Sequence, residues 1–400
     1  MRIVKVNKDS IANILSDLLK RSPTNYGDFQ DKVDAIIKNV RDNGDKAVFD
    51  YTAQFDKAEI NAENILVTEE EIKEAYEEVD DELIKVIRKA IKNIRDFHEK
   101  QIQKSWFETR EDGVMLGQKV TPMETCGVYV PGGKAVYPSS VLMNIVPAHV
   151  AGVKNIIMTT PPGKDGKVTA NTLVAAKEAG ATKVYKVGGA QAIAAMAFGT
   201  ESIPKVDKIV GPGNIFVALA KKAVYGNVSI DSIAGPSEIL VLADETANPR
   251  YVAADLLSQA EHDEMASAIL VTTSEELAHK VSDEIDGFLN QLSRKEIMEK
   301  SLDSFGYILV ASDMKEAIDT ANAIASEHME IMTANPFDVM TRIKNAGAIF
   351  IGAYSCEPLG DYFAGPNHVL PTNGTAKFFS PLSVDDSSRN QVSSTIQEKP

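Results

Sequence analysis

Short β-branched runs alternate with alanine-rich helical segments along more than half of this chain, and this alternation restricts the folds open to it. A first series contains the runs "CGVYV", "KNIIMTT", "TKVYKV" and "DKIV", each followed by a turn with glycine or proline. A second series contains "EILVLA", "AILVTT", "YILVA" and "AIFIG". Strands that alternate with helices are typical of βαβ units and parallel sheets. The sequence therefore predicts an α/β protein with two parallel-sheet units in series.

The segments on either side of these units have a different texture. Residues 10 to 110 are highly charged, and their apolar positions recur every three or four residues, which predicts helices. The last residues are rich in Ser and other polar types, with Val392 and Ile396 almost the only apolar anchors, which predicts disorder. We therefore expect four segments: a helical flank at 1–125 that packs on the second α/β unit, a first unit at 126–235, a second unit at 236–384, and a disordered polar tail at 385–400.

Charge and composition exclude several classes of function. The net charge of -15 argues against nucleic acid as a partner, because phosphate binding relies on clustered Lys and Arg. The N-terminus lacks the apolar core of a signal peptide, and no apolar run approaches the roughly 20 residues that span a bilayer. With only Cys126 and Cys356, a disulfide framework is not expected. These features predict a cytoplasmic protein that binds neither nucleic acid nor membrane.

Two glycine turns follow predicted strands and open predicted helices, at Gly188 and Gly211. Such turns let backbone N–H groups approach a phosphate at the positive end of a helix. Neither turn has the full G-x-G-x-x-G pattern with a well-placed acidic residue, so an ordinary βα turn is the favoured interpretation of each. A third loop, "YVPGGKAVYPSS", combines paired glycines with Lys134 and is equally well explained as a surface loop.

Polar residues that could serve chemistry follow apolar stripes near the ends of two predicted helices. Gln259 and His262 lie three apart in "DLLSQAEHDEM", which would place them on one helix face as a pair of metal ligands. A satisfied polar helix end is the favoured alternative. In "MKEAIDTANAIASEHMEIM", predicted to be one helix, Glu327 and His328 follow the apolar stripe. His328 could be a core histidine, but a carboxylate beside it is costly to bury unless it is paired or used.

A Gly- and Pro-rich loop, "EPLGDYFAGPNHVLPT", carries Asp361 and His368. Loops at the carboxyl ends of parallel strands are where α/β proteins build sites, although Asp361 could simply organise a turn. Three of the six histidines, His262, His328 and His368, lie in carboxylate-rich elements. This concentration indicates a metal or proton-transfer site.

Six blocks in order resemble the histidinol dehydrogenase family, and the similarity extends from the N-terminal helices to about Val384. They are "CGVYVPGGKAVYPSSVLMNIVPAHVAGV", "GPGNIFVALAKKAVYG", "IAGPSEILVLAD", "LLSQAEHD", "ASEHMEIM" and "GDYFAGPNHVLPT". The resemblance implies two incomplete Rossmann-like units in a homodimer with shared active sites, with NAD on the first unit. It also implies oxidation of L-histidinol to L-histidine, the last step of histidine biosynthesis, in two NAD-dependent hydride transfers by way of an aldehyde, with one zinc ion per site.

The resemblance also implies roles for individual residues. Glu327 and His328 match the positions that activate water and move protons. Gln259, His262 and Asp361 match zinc ligands, and these five residues together with Ser237 and His368 form the implied substrate site. The positions that match NAD contacts in the family are Tyr129, Gln191 and Asn214.

The C-terminal tail departs from the family pattern. The family arm continues beyond Val384 and carries a glutamate and a histidine that completes the zinc site of the partner subunit, whereas no histidine follows His368 here. From this we expect a weakened dimer. The alternative functions are a catalytically impaired homologue that binds NAD or substrate without efficient turnover, and a relative that oxidises another amino alcohol.

Overall fold

The computed structural model describes residues 1–21, 27–132 and 138–395. In chain order its strands are β1 (Arg2–Lys5), β2 (Trp106–Thr109), β3 (Met115–Pro122), β4 (Thr125–Tyr129), β5 (Asn155–Thr160), β6 (Lys183–Lys186), β7 (Lys208–Val210), β8 (Ser229–Ile230), β9 (Glu238–Ala243), β10 (Ser267–Thr272), β11 (Gly306–Val310), β12 (His328–Met332), β13 (Ala348–Ile351) and β14 (Ser388–Thr395). The α-helices are α1 (Lys8–Leu19), α2 (Gly27–Phe55), α3 (Glu69–Glu78), α4 (Asp81–His98), α5 (Pro138–Ala151), α6 (Ala170–Ala179), α7 (Gly189–Phe198), α8 (Ile215–Val224), α9 (Pro249–Ala260), α10 (Glu275–Leu289), α11 (Lys295–Phe305), α12 (Met314–Ile324), α13 (Pro336–Met340) and α14 (Glu357–Leu359).

The chain divides into two compact units, each built on a parallel sheet, as the alternating pattern predicts. Unit 1 comprises Met1–Gly27, Ser232–Tyr362 and Leu370–Pro381, and unit 2 comprises Asp28–Asp231, Phe363–Val369 and Leu382–Pro400.

Within the described residues, no helix is both long and apolar enough to cross a membrane.

Unit 1 contains a six-stranded sheet in the order β1-β11-β10-β9-β12-β13, with every neighbouring pair parallel. Helices cover both faces of this sheet. Ile239 and Val241 of β9 pack against α9, α10 and α11, while Leu240 and Leu242 pack against α1 and α12. A strand buried on both faces has no polar side to alternate with, which explains its continuous apolar run.

Unit 2 contains a five-stranded parallel sheet in the order β6-β5-β4-β7-β8. The chain runs from β4 outward through β5 to β6 and then returns to place β7 on the other side of β4. The loops after β4 and β7 therefore flank a topological switch point, where α/β sheets commonly bind ligands. A separate antiparallel sheet in the order β14-β3-β2 belongs to the same unit.

The structure does not place the helical flank on the second α/β unit as a block. Only its first 27 residues group with that unit, and the rest groups with the first α/β unit. The apolar stripe of α4, which includes Ile84, Ile91 and Ile94, packs in one core with Leu142 of α5 and Leu173 of α6. A charged helix with one apolar face can cover any apolar surface, so the sequence pattern did not identify the unit that it covers.

The expected disorder of the polar tail is not observed over 385–395. A short 3₁₀ turn, Asp385–Ser387, leads into β14, which pairs antiparallel with β3. Backbone hydrogen bonds hold this edge strand, and they do not require apolar side chains. Val392 is 91% exposed, which explains why composition suggested disorder. Residues 396–400, including Ile396, lie outside the described residues.

The segment predicted as one helix across 314–332 is in fact a helix followed by a strand. Helix α12 ends at Ile324, and Ala325 adopts a left-handed conformation with φ 56°. The chain then enters β12 at His328, between β9 and β13. Because β12 is buried on both faces, apolar and polar residues do not alternate along it. Its sequence therefore looked like a continuation of the apolar stripe of α12.

A buried ion pair connects the end of α1 to the start of β9. The Arg21 side chain is fully buried and pairs with Glu238, the first residue of β9. It also donates to the carbonyl oxygen of Met265 at 3.0 Å. Removing one partner of a buried pair leaves the other charge without compensation.

Substitution of Arg21 by alanine, R21A, is therefore expected to lower the free energy of unfolding by about 3–5 kcal/mol. The measurement is urea denaturation followed by circular dichroism. K20A is the matched control, because the adjacent Lys20 pairs with Asp17 on the surface and such pairs contribute little. Equal stability of R21A and K20A would show that the buried pair does not stabilise unit 1.

Candidate active site and metal centre

The candidate site of unit 1 lies at the amino ends of β9 and β12. Ser237 and Glu327 directly precede these strands, and Glu238 and His328 begin them. The loop with Asp361 was expected at the carboxyl ends of strands. Instead, Asp361 lies in a single π-helical turn, Gly360–Ala364, and its carboxylate contacts His328 at the amino end.

The side chains of Glu327 and His328 converge on the backbone of a single residue, Glu238. The N–H of Glu238 donates to Glu327 Oε2 at 2.9 Å. The carbonyl oxygen of Glu238 is 3.0 Å from His328 Nδ1. Glu327 Oε2 and His328 Nδ1 are therefore only 3.7 Å apart, although side chains of adjacent residues in a strand point in opposite directions. In the predicted helix these two side chains would not face each other, because adjacent helical residues point in different directions. The structure brings them together.

Asp361 and Gln259 complete the surroundings of the His328 ring. Asp361 Oδ2 is 3.0 Å from His328 Nε2, and Gln259 Nε2 is 3.5 Å from His328 Nδ1. Both ring nitrogens thus face an oxygen acceptor, Glu238 on one side and Asp361 on the other. A ring that donates from both nitrogens is the imidazolium, so this geometry stabilises the protonated form of His328.

His262 does not share a helix face with Gln259, because α9 ends at Ala260. The backbone N–H of His262 instead donates to the Gln259 carbonyl oxygen at 3.1 Å, which turns the chain directly after the helix. Burial lowers the pKa of His262, and the charges of His328 and Asp361 act on its ring as well. The tight turn therefore keeps His262 in the same electrostatic environment as the other candidate ligands.

Burial and charge shift the pKa values of the acid–base pair. Burial raises the pKa of Glu327 to about 8. Burial lowers the pKa of His328, but the carboxylates of Glu327 and Asp361 outweigh that effect and raise it to about 10. Two adjacent groups with displaced pKa values are typical of catalytic acid–base sites.

The residues present suit a divalent metal ion. Gln259 is 1% exposed, and its Oε1 atom has no hydrogen-bond partner among the described parts of the chain. An amide oxygen, a carboxylate and an imidazole are ligands that zinc accepts. Ligand atoms of His328, Glu357 and Asp361 also lie within 4.8 Å of one another. Gln259 and Asp361 were predicted as ligands, whereas Glu357 was not.

Glu357 belongs to a group of buried carboxyls beside His328 and Asp361 that the sequence pattern did not indicate. Its backbone N–H donates to Glu330 Oε1 at 2.9 Å, and Ser258 Oγ donates to its Oε2 at 3.2 Å. Burial raises the pKa values of Glu357, to about 7, and of Glu330 and Asp255. The only sequence signal was an acidic residue before Pro358 in a Gly-rich loop, which is equally common in turns.

The two remaining predicted substrate contacts occupy different places. Ser237 is half-buried at the entry to β9, and its carbonyl oxygen accepts from Ser267 N at 3.0 Å. His368 is half-buried and belongs to the Phe363–Val369 segment of unit 2. Ser237 thus belongs to the same unit as Glu327 and His328, whereas His368 belongs to unit 2.

Unit 2 contains a cavity of about 970 Å³ at its topological switch point. Tyr129, Gln191 and Asn214 all line it. The Gln191 side chain is 1% exposed, and neither its nitrogen nor its oxygen has a partner within 1–21, 27–132 and 138–395. Tyr129 Oη accepts from Gly189 N at 3.1 Å, and Asn214 caps α8. A buried amide without a partner, beside two helix N-termini, suits a phosphate-containing ligand.

A buried ion pair fixes the loop that leads to Asn214. Lys221 and Asp231 pair with both side chains buried. Lys221 Nζ donates to the Gly211 carbonyl oxygen, and Gly211 N donates to Asp231 Oδ2, each at 2.8 Å. Gly211 has φ 119°, and a Cβ there would lie 2.1 Å from the Tyr129 carbonyl oxygen. The turn at Gly211, predicted to be an ordinary βα connection, is thus fixed by hydrogen bonds to both its N–H and its carbonyl oxygen. In the loop with Lys134, residues 133–137 lie outside the described residues.

A buried acid–base centre on one parallel-sheet unit and a cavity at the switch point of another are typical of an α/β enzyme. A family model described as histidinol dehydrogenase matches residues 19–399. The chain therefore belongs to the histidinol dehydrogenase family, and it is a dehydrogenase. The match includes the tail beyond Val384, which the six blocks had left outside the resemblance.

Individual relatives agree with this assignment. The chain is 61% identical to histidinol dehydrogenase of Clostridium acetobutylicum over 351 residues, which cover 88% of this chain and 81% of the relative. It is 59% identical to the Bacillus subtilis enzyme, over 96% of this chain and 89% of the relative. The crystal structure of histidinol dehydrogenase from Elizabethkingia anophelis superposes with a TM-score of 0.93 at 38% identity, covering 99% of this chain and 90% of that one.

Proposed function

We propose that the chain oxidises L-histidinol to L-histidine in two NAD-dependent hydride transfers by way of the aldehyde. The observation that carries this proposal is the Glu327 and His328 pair, held on the backbone of Glu238 beside Gln259 and Asp361. Oxidation of an alcohol to an acid needs a base for the hydroxyl proton and a base for the water that adds to the aldehyde. The pair supplies two such groups.

His328 is the base for the alcohol in this proposal. Its Nδ1 proton is held by the Glu238 carbonyl oxygen, which leaves Nε2 as the atom that gains and loses a proton. Nε2 can accept the substrate proton once the Asp361 carboxylate, 3.0 Å away, is engaged by another partner. Glu327 then serves as the base for the added water, since burial raises its pKa to about 8 and so makes its carboxylate more basic.

Gln259, His262 and Asp361 are the chain's proposed zinc ligands. The buried Gln259 Oε1 atom without a partner among the described residues supports this assignment. When bound, the metal supplies an anchor for the amine and imidazole of the substrate, which fixes the carbon that loses hydride. Asp361 would then be a ligand rather than the partner of His328. Ser237 and His368 stay predicted substrate contacts.

NAD is the proposed ligand of the cavity in unit 2, with Tyr129, Gln191 and Asn214 as its contacts. The buried amide of Gln191 and the capped N-terminus of α8 support this choice. The homodimer and the cytoplasmic location that the sequence predicts are also part of the proposal. A sizing measurement tests the first, since a monomer at micromolar concentration would contradict it.

The ion pair of Lys221 and Asp231 gives a prediction for NAD binding. K221M removes the donor to the Gly211 carbonyl oxygen, so we expect the KM for NAD to rise about tenfold, the equivalent of one charged hydrogen bond. The kcat at saturating NAD should change much less. Steady-state kinetics with varied NAD measures both, at a temperature at which a thermal melt shows K221M to be folded, because the variant also leaves the buried Asp231 without its partner. K222M, at the neighbouring and exposed Lys222, is the control, and an equal KM in the two variants would refute this positioning role.

The proposed function is tested by NADH formation from L-histidinol and NAD. The purified protein is assayed as prepared, after chelation, and after zinc is restored. We expect turnover that is lost on chelation and recovered with zinc. A cooperatively folded protein that shows no turnover with zinc present would contradict the proposal.

A further inference from the structure

The cavity of unit 2 contains a carboxylate that none of the assigned roles uses. Asp56 directly follows α2, which ends at Phe55, and both residues line the cavity with Tyr129. Burial raises the pKa of the Tyr129 hydroxyl, and the negative charge of Asp56 raises it further. Asp56 Oδ2 is a buried atom, and it has no hydrogen-bond partner within the described part of the chain.

The position of Asp56 is unfavourable for a negative charge in three respects. It lies at the carboxyl end of α2, where the helix dipole already places partial negative charge. Burial raises its pKa to about 6. The ammonium group of Lys57, its neighbour, donates instead to the Gln54 carbonyl oxygen at 2.7 Å. A carboxyl group that stays in a cavity although its surroundings disfavour its negative charge is a candidate for ligand recognition.

The other carboxyls of the cavity wall are placed differently. Glu78 is exposed to solvent. Asp165 already accepts a hydrogen bond from Lys167 N at 3.1 Å, within its own turn. Of these three carboxyls, Asp56 is therefore the one that lines the cavity with a buried acceptor atom.

The chemistry of the dinucleotide suggests what Asp56 accepts. Dinucleotide-binding units use an acidic residue to bind the 2′-hydroxyl of the adenosine ribose. The acids at the usual spacing after the glycine turns are Asp207 and Asp231, and both are engaged within the fold. Asp207 accepts a hydrogen bond from Thr125 N, and Asp231 pairs with Lys221. The carboxylate that binds the ribose is therefore sought elsewhere in the unit. Phe55 stacks on Tyr51 with ring centroids 5.6 Å apart, and its half-exposed ring on the cavity wall offers a surface for the adenine base.

We propose that Asp56 binds the 2′-hydroxyl of the adenosine ribose and thereby selects NAD over NADP. This inference rests on NAD as the ligand of the cavity. The carboxylate accepts a hydrogen bond from the hydroxyl of NAD. The phosphate at the same position in NADP carries nearly two negative charges and offers no hydrogen-bond donor, so the carboxylate repels it. Asp56 is thus a specificity-determining residue supplied by the helical flank rather than by the sheet.

The test is calorimetric titration of the zinc-loaded protein with NAD, NADP and NAD that lacks the adenosine 2′-hydroxyl. For the wild type we expect NAD to bind at least about tenfold more tightly than the deoxy compound, because the 2′-hydroxyl donates a hydrogen bond to a charged group. NADP should bind more weakly still. In D56N, NAD and the deoxy compound should bind within about threefold of each other, while NADP should gain or keep affinity.

Matched controls separate recognition from a general effect of charge or folding. D50N removes a carboxylate from an exposed position on the same helix, where Asp50 pairs with Lys46, and should leave all three affinities unchanged. D56N should melt no lower than the wild type without ligand, because it removes an unfavourable charge. If D56N fails to fold, D56S takes its place, and the wild-type comparison of NAD with the deoxy compound still shows whether the 2′-hydroxyl is recognised.

Three results would overturn the inference while leaving the proposed function intact. They are equal wild-type affinity for NAD and the deoxy compound, unchanged discrimination in D56N, and an equal loss for all three ligands in D56N. A wild type that binds none of the three would instead contradict NAD as the ligand of the cavity. The two failures are therefore distinguishable.

Discussion

E327Q is expected to lower kcat for the conversion of L-histidinol to L-histidine by about 100-fold to 10,000-fold, the usual contribution of a positioned acid–base group. Glutamine can still accept the 2.9 Å hydrogen bond from the Glu238 N–H through its amide oxygen. It cannot take a proton from water. The expected loss therefore reflects chemistry and not the position of the side chain.

The two steps of the reaction make this prediction specific. Since Glu327 is proposed to act on the water that adds to the aldehyde, E327Q should impair aldehyde oxidation more than alcohol oxidation. H328N should show the reverse. The measurement compares NADH formation from L-histidinol and from L-histidinal in both variants, with thermal melts to confirm folding. E245Q, at an exposed carboxylate beyond the opposite end of β9, is the control. Activity of E327Q within threefold of that control would exclude Glu327 as a base.

D361N should abolish productive metal binding, because Asp361 is the only anionic residue among the proposed ligands Gln259, His262 and Asp361. Loss of residues that merely support metal ligands costs about 10-fold to 100-fold in affinity, and loss of a ligand should cost at least as much. Competition against a zinc-binding dye measures this directly and does not depend on turnover. We expect the Kd for zinc to rise at least 100-fold.

A surface variant provides the comparison for D361N. E264Q removes an exposed carboxylate that pairs with Lys300 close to His262 in the chain, so it changes net charge equally. Its zinc affinity should match the wild type. If D361N also binds zinc like the wild type, Asp361 is a hydrogen-bond partner of His328 and not a ligand.

The alternation of strands and helices was sufficient to predict two parallel-sheet units. The same pattern gave a wrong prediction at β12, because this strand is buried on both faces and follows a helix, α12, that is also apolar. The error at 325–332 mattered for the site, because a helix separates Glu327 from His328, whereas the strand entry lets both side chains fold back onto Glu238. Only the pairing of β9 with β12 supplies that shared backbone, and pairing between distant strands leaves no local signal.

The candidate residues themselves were easier to predict than their arrangement. Gln259 and Asp361 were identified from the resemblance, and the structure places both against His328. Glu357 and Asp56 carried no pattern that distinguishes them from acids in turns and at helix ends. What sets them apart is burial, together with nearby charges in the case of Glu357, and both depend on segments far away in the chain.

The most direct test of the proposed reaction is its stoichiometry. Limiting L-histidinol is incubated with excess NAD and the zinc-loaded protein, and NADH and L-histidine are quantified at completion. The proposal predicts two NADH and one L-histidine for each L-histidinol consumed. One NADH for each L-histidinol, with the aldehyde as the final product, would contradict the role of Glu327 and the two-step oxidation.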